Sequence, residues 1–231
     1  MGYLENKFFL LFITFAIFVI AKQVQKKTGW VLLNPILLTI ATLIVFLKLT
    51  GISYETYKEG GDLIEFWLKP AVVALGVPLY LQLQQIKKQL IPILLSQLAG
   101  CVVGVVSVVL IAHLLGASRE VVLSLAPKSV TTPIAMEISQ TIGGIPSLTT
   151  AVVVCVGLFG GIAGFQLMKL MRIKQPISQG LSMGTAAHAL GTSTALEISS
   201  KYGAYAGLGL TLNGMLTALL TPTILRIMGF L

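Results

Sequence analysis

Charge is what this chain most lacks. Only 10% of its 231 residues are Asp, Glu, Lys or Arg, where a soluble domain carries about 25%. That stock cannot clothe a water-covered globule, so the soluble classes fall away. Cysteine is nearly absent too. Cys101 and Cys155 sit in apolar runs without metal-ligand spacing, which excludes a cysteine metal centre and leaves packing as their reading. There is no HExxH, no phosphate-cradling Gly-Lys-Ser/Thr and no pair of aspartates, so metalloprotease, phosphate-loop and paired-carboxylate chemistry have no residues to work with. Ser193 and His188 are five positions apart, but no third group orients the histidine. No catalytic residue, metal or cofactor is expected, and the chain reads as a non-enzyme.

What is present is apolar. Hydrophobic residues make up 55% of the chain and the mean hydropathy is +0.92. Long apolar runs cover Phe8–Ala21, Leu98–Leu115, Ala151–Phe165 and Ala204–Leu220. A helical span takes about 20 residues. The expected fold class is therefore all-α integral membrane, with seven or eight transmembrane segments and the lipid bilayer as its surroundings. The net charge of +8 does not call for nucleic acid, because the basic residues lie mostly in short loops, where a positive-inside bias places them. The first apolar run is followed by Lys22-Gln23-Val24-Gln25-Lys26-Lys27 and not by a small-residue cleavage site, so it reads as a retained span.

Spans are expected near 4–21, 30–49, 63–82, 90–115, 121–141, 147–170, 180–199 and 204–227. Lys22, Lys26 and Lys27 follow the first, Lys87 and Lys88 the third, and Lys169, Arg172 and Lys174 the sixth. Simple alternation puts the last of these loops on the wrong side for the positive-inside rule. The conflict disappears if 121–141 enters and leaves on one side. Pro127 and Pro133 break that segment and Gly143-Gly144 follows it. Broken or re-entrant helices and inverted repeats are thus expected within one transmembrane domain, 1–231, with repeat halves at 30–115 and 118–227. Two short echoes support a repeat: Ala74-Leu75-Gly76 with Ala189-Leu190-Gly191, and Thr132–Ser139 with Thr192–Ser199. Interrupted segments at corresponding positions of two halves point to a transport site.

The two polar breaks carry the candidate site. An ionisable residue at bilayer depth is costly, about 2.5–3.5 kcal/mol on insertion scales, and generally faces a cavity or a partner. Lys128, with Ser129, Thr131 and Thr132, reads either as a lysine snorkelling to an interface or as an anion-binding cation helped by free N–H groups where a helix restarts. His188, with Gly191, Thr192 and Ser193, reads either as a helix–helix hydrogen-bonding residue or as a substrate or proton-coupling contact. Glu137 and Glu197 are helix-end acids or coupling sites for an ion or proton. Asn34-Pro35 and Lys69-Pro70 read as helix starts and, with Pro78, Pro127 and Pro133, as the breaks in the helical pattern. Gly157, Gly160, Gly161 and Gly164 make a face for close helix packing, within the chain or against a small partner.

Asn34-Pro35, Gly51-Ile52-Ser53-Tyr54, Lys69-Pro70-Ala71-Val72-Val73-Ala74, Pro78-Leu79-Tyr80, Pro127 through Ala135, Ile142-Gly143-Gly144-Ile145-Pro146 and His188-Ala189-Leu190-Gly191-Thr192 together resemble the LrgB/CidB family over nearly the whole chain. The resemblance implies a multi-pass protein of the bacterial plasma membrane that works with a small LrgA/CidA-type membrane protein. The family is described as antiholin-like, modulating murein hydrolase activity and cell lysis. Its plastid relatives move glycolate and glycerate, and bacterial relatives are linked to pyruvate. By analogy with elevator-like carriers a homodimer is one expectation. Two functions follow as expectations: a carrier of small monocarboxylates, with a small organic anion as ligand, or a holin-system accessory with no substrate of its own.

Overall fold

The computed structural model describes residues 5–30, 33–74, 76–81 and 83–231, apart from the side chains at 65, 68, 69, 71–74, 76, 78, 79 and 85. The described residues form helices and turns, with no strand among them. Among the described residues four helices are long and apolar enough to cross a membrane: α1 (Lys7–Thr28), α6 (Leu90–Leu114), α9 (Pro146–Leu170) and α11 (Ser200–Ile227). The apolar α2 (Pro35–Thr50) is shorter. The chain divides into two compact units, Met1–Ala74 and Leu75–Leu231. That boundary does not coincide with the expected repeat halves.

The first unit holds α1, α2 and α3 (Tyr54–Ala74). Side chains start its helices and glycines end two of them. Asn6 accepts from the Phe8 amide at 2.9 Å, and Asn34 accepts from Ile36 and Leu37 with Pro35 in the first turn. An asparagine at the N-cap and a proline just inside it are the local rule for starting a helix. Asn34-Pro35 is therefore a helix start, as the spacing predicts. Gly29 and Gly51 close α1 and α2 at φ +66° and +70°, where a side chain is unwelcome. Pro70 is a correction. It lies inside α3 and not at a helix start. The helix begins much earlier, where the Ser53 hydroxyl accepts from the Thr56 amide at 3.1 Å, and the proline removes only one backbone bond near the far end. The side chains of Lys69 and Pro78, and the Ala74-Leu75-Gly76 echo, lie outside the described residues.

The second unit runs through the short α4 (Gly76–Leu81) and α5 (Leu83–Lys88), then α6, α7 (Arg119–Leu125), α8 (Thr132–Ile142), α9, α10 (Pro176–Ile198) and α11. At about 1.5 Å per residue, α7 and α8 are each far shorter than the bilayer's apolar core of about 30 Å. They fold back on one another. Ser124, late in α7, is tied to the far end of α8 and the start of α9. Thr149 Oγ1 donates to the Ser124 carbonyl (2.9 Å) and shares a hydroxyl–hydroxyl hydrogen bond with Ser139 Oγ (2.7 Å), and the Ile145 amide donates to Ser124 Oγ (2.7 Å). Residues 124 and 139 meet this way only if the intervening chain reverses. The reversal is 126–131, in which Ala126, Pro127 and Val130 are buried. The turn's apolar residues join a core with Val105, Val109, Val153 and Leu225.

Helix α10 reverses as well. Ala187 (φ −120°, ψ 15°) and His188 (φ 42°, ψ −131°) leave helical geometry in its middle. Gly191 then lies against the Met183 carbonyl and the Ala187 methyl, so closely that a Cβ at 191 would collide with them. Leu196 lies against Gly203 at the start of α11, level with Gly180, which packs on Tyr202 and Tyr205. Residues 176–186 and 189–198 are thus the two arms of a second hairpin. The span expected near 180–199 folds back instead of crossing, because the break at 187–188 and the bare backbone at Gly191 let the second arm pack on the first.

Candidate functional site

The two hairpins approach α11 from opposite ends. Arg119, at the base of the first, donates from Nε to the Phe230 carbonyl at 2.8 Å, beyond the C-terminal end of α11. The first arm of the second hairpin starts near Tyr202 and climbs past Ala206 and Gly209. Gly180, Gly184 and Gly209 let it lie backbone against backbone on α11; a Cβ at Gly184 would overlap the Ala206 carbonyl. Small residues at such contacts are how membrane helices approach closely. The hairpins meet at Asn213, in the middle of α11. Its Nδ2 donates to the Ser129 carbonyl (3.1 Å) and to the Thr185 carbonyl (3.0 Å).

Beside this junction is a cleft of about 380 Å³. Its walls are the tip of the first hairpin (Lys128, Ser129), the first arm of the second (Ser178, Ser182, Thr185) and the inner face of α6 (Ser96, Gln97). Gly100 and Gly104 of α6 leave the space open. Among the described residues that line it, Lys128 carries the only charge. Its ammonium donates to Ser129 Oγ at 3.1 Å, which leaves further protons free, since an ammonium has three. Gln97 is 2% exposed and accepts from Thr185 Oγ1 at 2.6 Å. Hydroxyls, an amide and one cation in an apolar surround can hold a small anion by charge-assisted hydrogen bonds. Unwound backbone next to such a cavity is what a membrane protein tolerates.

Of the residues singled out in the sequence, Lys128 and Ser129 line the cleft, while Thr131, Thr132, His188, Gly191, Thr192 and Ser193 do not. Thr131 is the N-cap residue of α8 without capping through its side chain, and Pro133 sits in the first turn. His188 is 4% exposed, and its Nε2 lies 2.9 Å from the Val153 carbonyl of α9. Its ring rests on Gly157, where a Cβ would come within 2.5 Å. Thr192 Oγ1 donates to the His188 carbonyl at 2.9 Å. These two residues hold the α10 break, and Gly191 lets its arms close. Ser193, Glu137 and Glu197 are exposed. The glycine face of α9 is occupied from within: Gly157, Gly160 and Gly164 pack on His188, Ala187 and Met183. Among the described residues no group of three or more His, Cys, Asp or Glu is placed to hold a metal.

Gln97, Ser178, Ser182 and above all Asn213 join the site without belonging to either polar segment's motif. The signal for Asn213 is there, a lone amide inside the apolar run Ala204–Leu220.

The fold and the cleft define a helical membrane protein built on long apolar helices and two broken hairpins. The chain belongs to the LrgB-like family, whose model matches residues 14–227. It is 37% identical to the uncharacterized protein YwbG of Bacillus subtilis, over 94% of this chain and 97% of that one. It is 34% identical to the holin-like protein CidB of Staphylococcus epidermidis, over 94% of each. It is 35% identical to the antiholin-like protein LrgB of Bacillus mycoides, over 89% of each. No solved structure matches the chain.

Proposed function

We propose that this protein serves a holin- or antiholin-like system of the bacterial plasma membrane, and that its own part is to pass a small organic anion through the Lys128 cleft. The relatives named holin-like CidB and antiholin-like LrgB support the first half. One observation carries the second: two hairpins from opposite ends of α11 converge on one buried amide beside a cleft in which Lys128 is the single cation among the described lining residues.

The same geometry supports a topology for the second unit. In the second unit α6, α9 and α11 are the crossings, and the two hairpins return to the sides they leave. Lys87 and Lys88 before α6, and Lys169, Arg172 and Lys174 after α9, then share one side, which the positive-inside rule makes the cytoplasm. The first hairpin opens to the outside and the second to the cytoplasm. A solute held at their junction has a broken helix on either side of it, an arrangement suited to alternating access.

The ligand class follows from size and charge. A monocarboxylate such as pyruvate or glycolate places its two oxygens between the Lys128 ammonium and the hydroxyls of Ser129 and Ser182. A small LrgA/CidA-type protein is the partner, and changes in murein hydrolase activity and lysis follow from the anion balance the pair controls. Uptake of labelled pyruvate or glycolate into proteoliposomes, with and without the small partner, tests this. Uptake that falls about tenfold or more in Lys128→Ala supports it. Uptake unchanged in Lys128→Ala removes the site.

The relatives' names favour a second reading, an accessory that binds the small partner and has no substrate. Co-purification of the two chains with no solute flux from either, alone or together, selects it.

A further inference from the structure

Asn213 is 1% exposed, and its side chain is engaged on every side. Both Nδ2 protons go to main-chain carbonyls, those of Ser129 and Thr185, while Oδ1 accepts from Thr217 Oγ1 at 3.5 Å. Two carbonyl partners fix which end of the amide is nitrogen. The carbonyls belong to segments 56 positions apart, one in the turn between α7 and α8 and the other two residues before the break in α10. Without the amide, the two carbonyls lose the one side chain that bonds both, and among the described residues nothing else ties the first hairpin's tip to the second hairpin's inner arm through α11. No packing residue can do this, and neither can an aspartate, which offers oxygens to two oxygens.

We infer that Asn213 is a positioning residue: it latches the tip of the first hairpin to the inner arm of the second, and so sets Lys128 and Ser129 at working distance from Ser182 and Thr185. The latch belongs to the junction itself. Only its effect on flux rests on the carrier reading above.

Hydrogen–deuterium exchange of the whole chain in nanodiscs reads it directly. In Asn213→Asp, exchange is expected to rise about tenfold at 126–131 and 184–190 and to stay unchanged along 150–165 of α9. Asn213→Ser keeps one donor and folds under milder strain, so a smaller rise in at least one of the two segments is expected; it carries the test alone if the aspartate variant does not fold. Wild-type exchange in both segments of a folded variant overturns the latch, as does an equal rise along α9. In proteoliposomes, Asn213→Ser should raise half-saturation for pyruvate about fivefold, the worth of one modest hydrogen bond, with the maximal rate within about twofold. A fall in maximal rate at unchanged half-saturation overturns the positioning role. If the wild-type chain carries neither pyruvate nor glycolate, the carrier reading falls, and exchange alone decides the latch.

Discussion

The first hairpin turns over residues 126–131, while the second turns at Ala187 and His188 alone. Each turn holds an ionisable residue; the second turn is buried, while the first is half-buried at Lys128, Ser129 and Thr131. The outcomes differ. The wider turn satisfies its backbone partly by itself, through Lys128 N–H to Leu125 (3.1 Å) and Val130 N–H to Pro127 (3.4 Å), with Asn213 serving Ser129. Its lysine is left free for the cleft. The narrower turn places a non-glycine residue at φ 42°, a conformation that costs of order 1–3 kcal/mol and must be held by its surroundings. His188 is held through its ring on α9 and its carbonyl on Thr192. Its Nε2 is taken up by the Val153 carbonyl of α9. The same kind of residue at the same kind of break is a ligand candidate in one hairpin and a structural brace in the other, and the neighbours packed on each turn decide which.

The strongest way to break this comparison is to stop the second hairpin from seating. Gly184→Leu drives a side chain into the Ala206 backbone. Helices packed this tightly cannot absorb it, so the folded yield in detergent should collapse, as size-exclusion chromatography will show. Next comes His188→Ala, which removes the ring and its bond to Val153 but keeps a strained φ. A loss of about 2–4 kcal/mol is expected, read as a lower melting temperature, with half-saturation for pyruvate nearly unchanged in the protein that folds. Lys128→Met should do the opposite. Thermal stability should hold or rise, since a charge leaves an apolar surround, while uptake falls about tenfold or more. If His188→Ala abolishes binding without loss of stability, or Lys128→Met unfolds the chain, the roles are reversed and the comparison fails. At the small end, Thr192→Val deletes one hydrogen bond to the His188 carbonyl and should cost about 1 kcal/mol in melting measurements. Ser193→Ala and Glu197→Gln, both exposed, should leave melting and uptake where they are.

Some of this was legible in the residues. Pro127, Pro133 and Gly143-Gly144 punctuate one segment so heavily that a return to the same side is the simplest reading, and Ser124, Ser139 and Thr149 close that return. The echo of Thr132–Ser139 in Thr192–Ser199 also has a structural counterpart, because both stretches lie on the returning arms. The fold-back within α10 was harder to see. Nothing in Ala186-Ala187-His188-Ala189 breaks a helix locally; the break is imposed by α9, which offers Val153 O and the bare Gly157 to the histidine.

Composition and punctuation by themselves determined that this is an all-helical membrane protein with costly polar breaks, because those are properties of residues and of their immediate neighbours. Which polar groups face the cleft and which brace the backbone was decided only by tertiary structure. A side chain's hydrogen-bonding capacity is finite, and only the packed neighbours, here Val153 beside His188 and Asn213 beside Ser129, settle whether any of it is left for a solute.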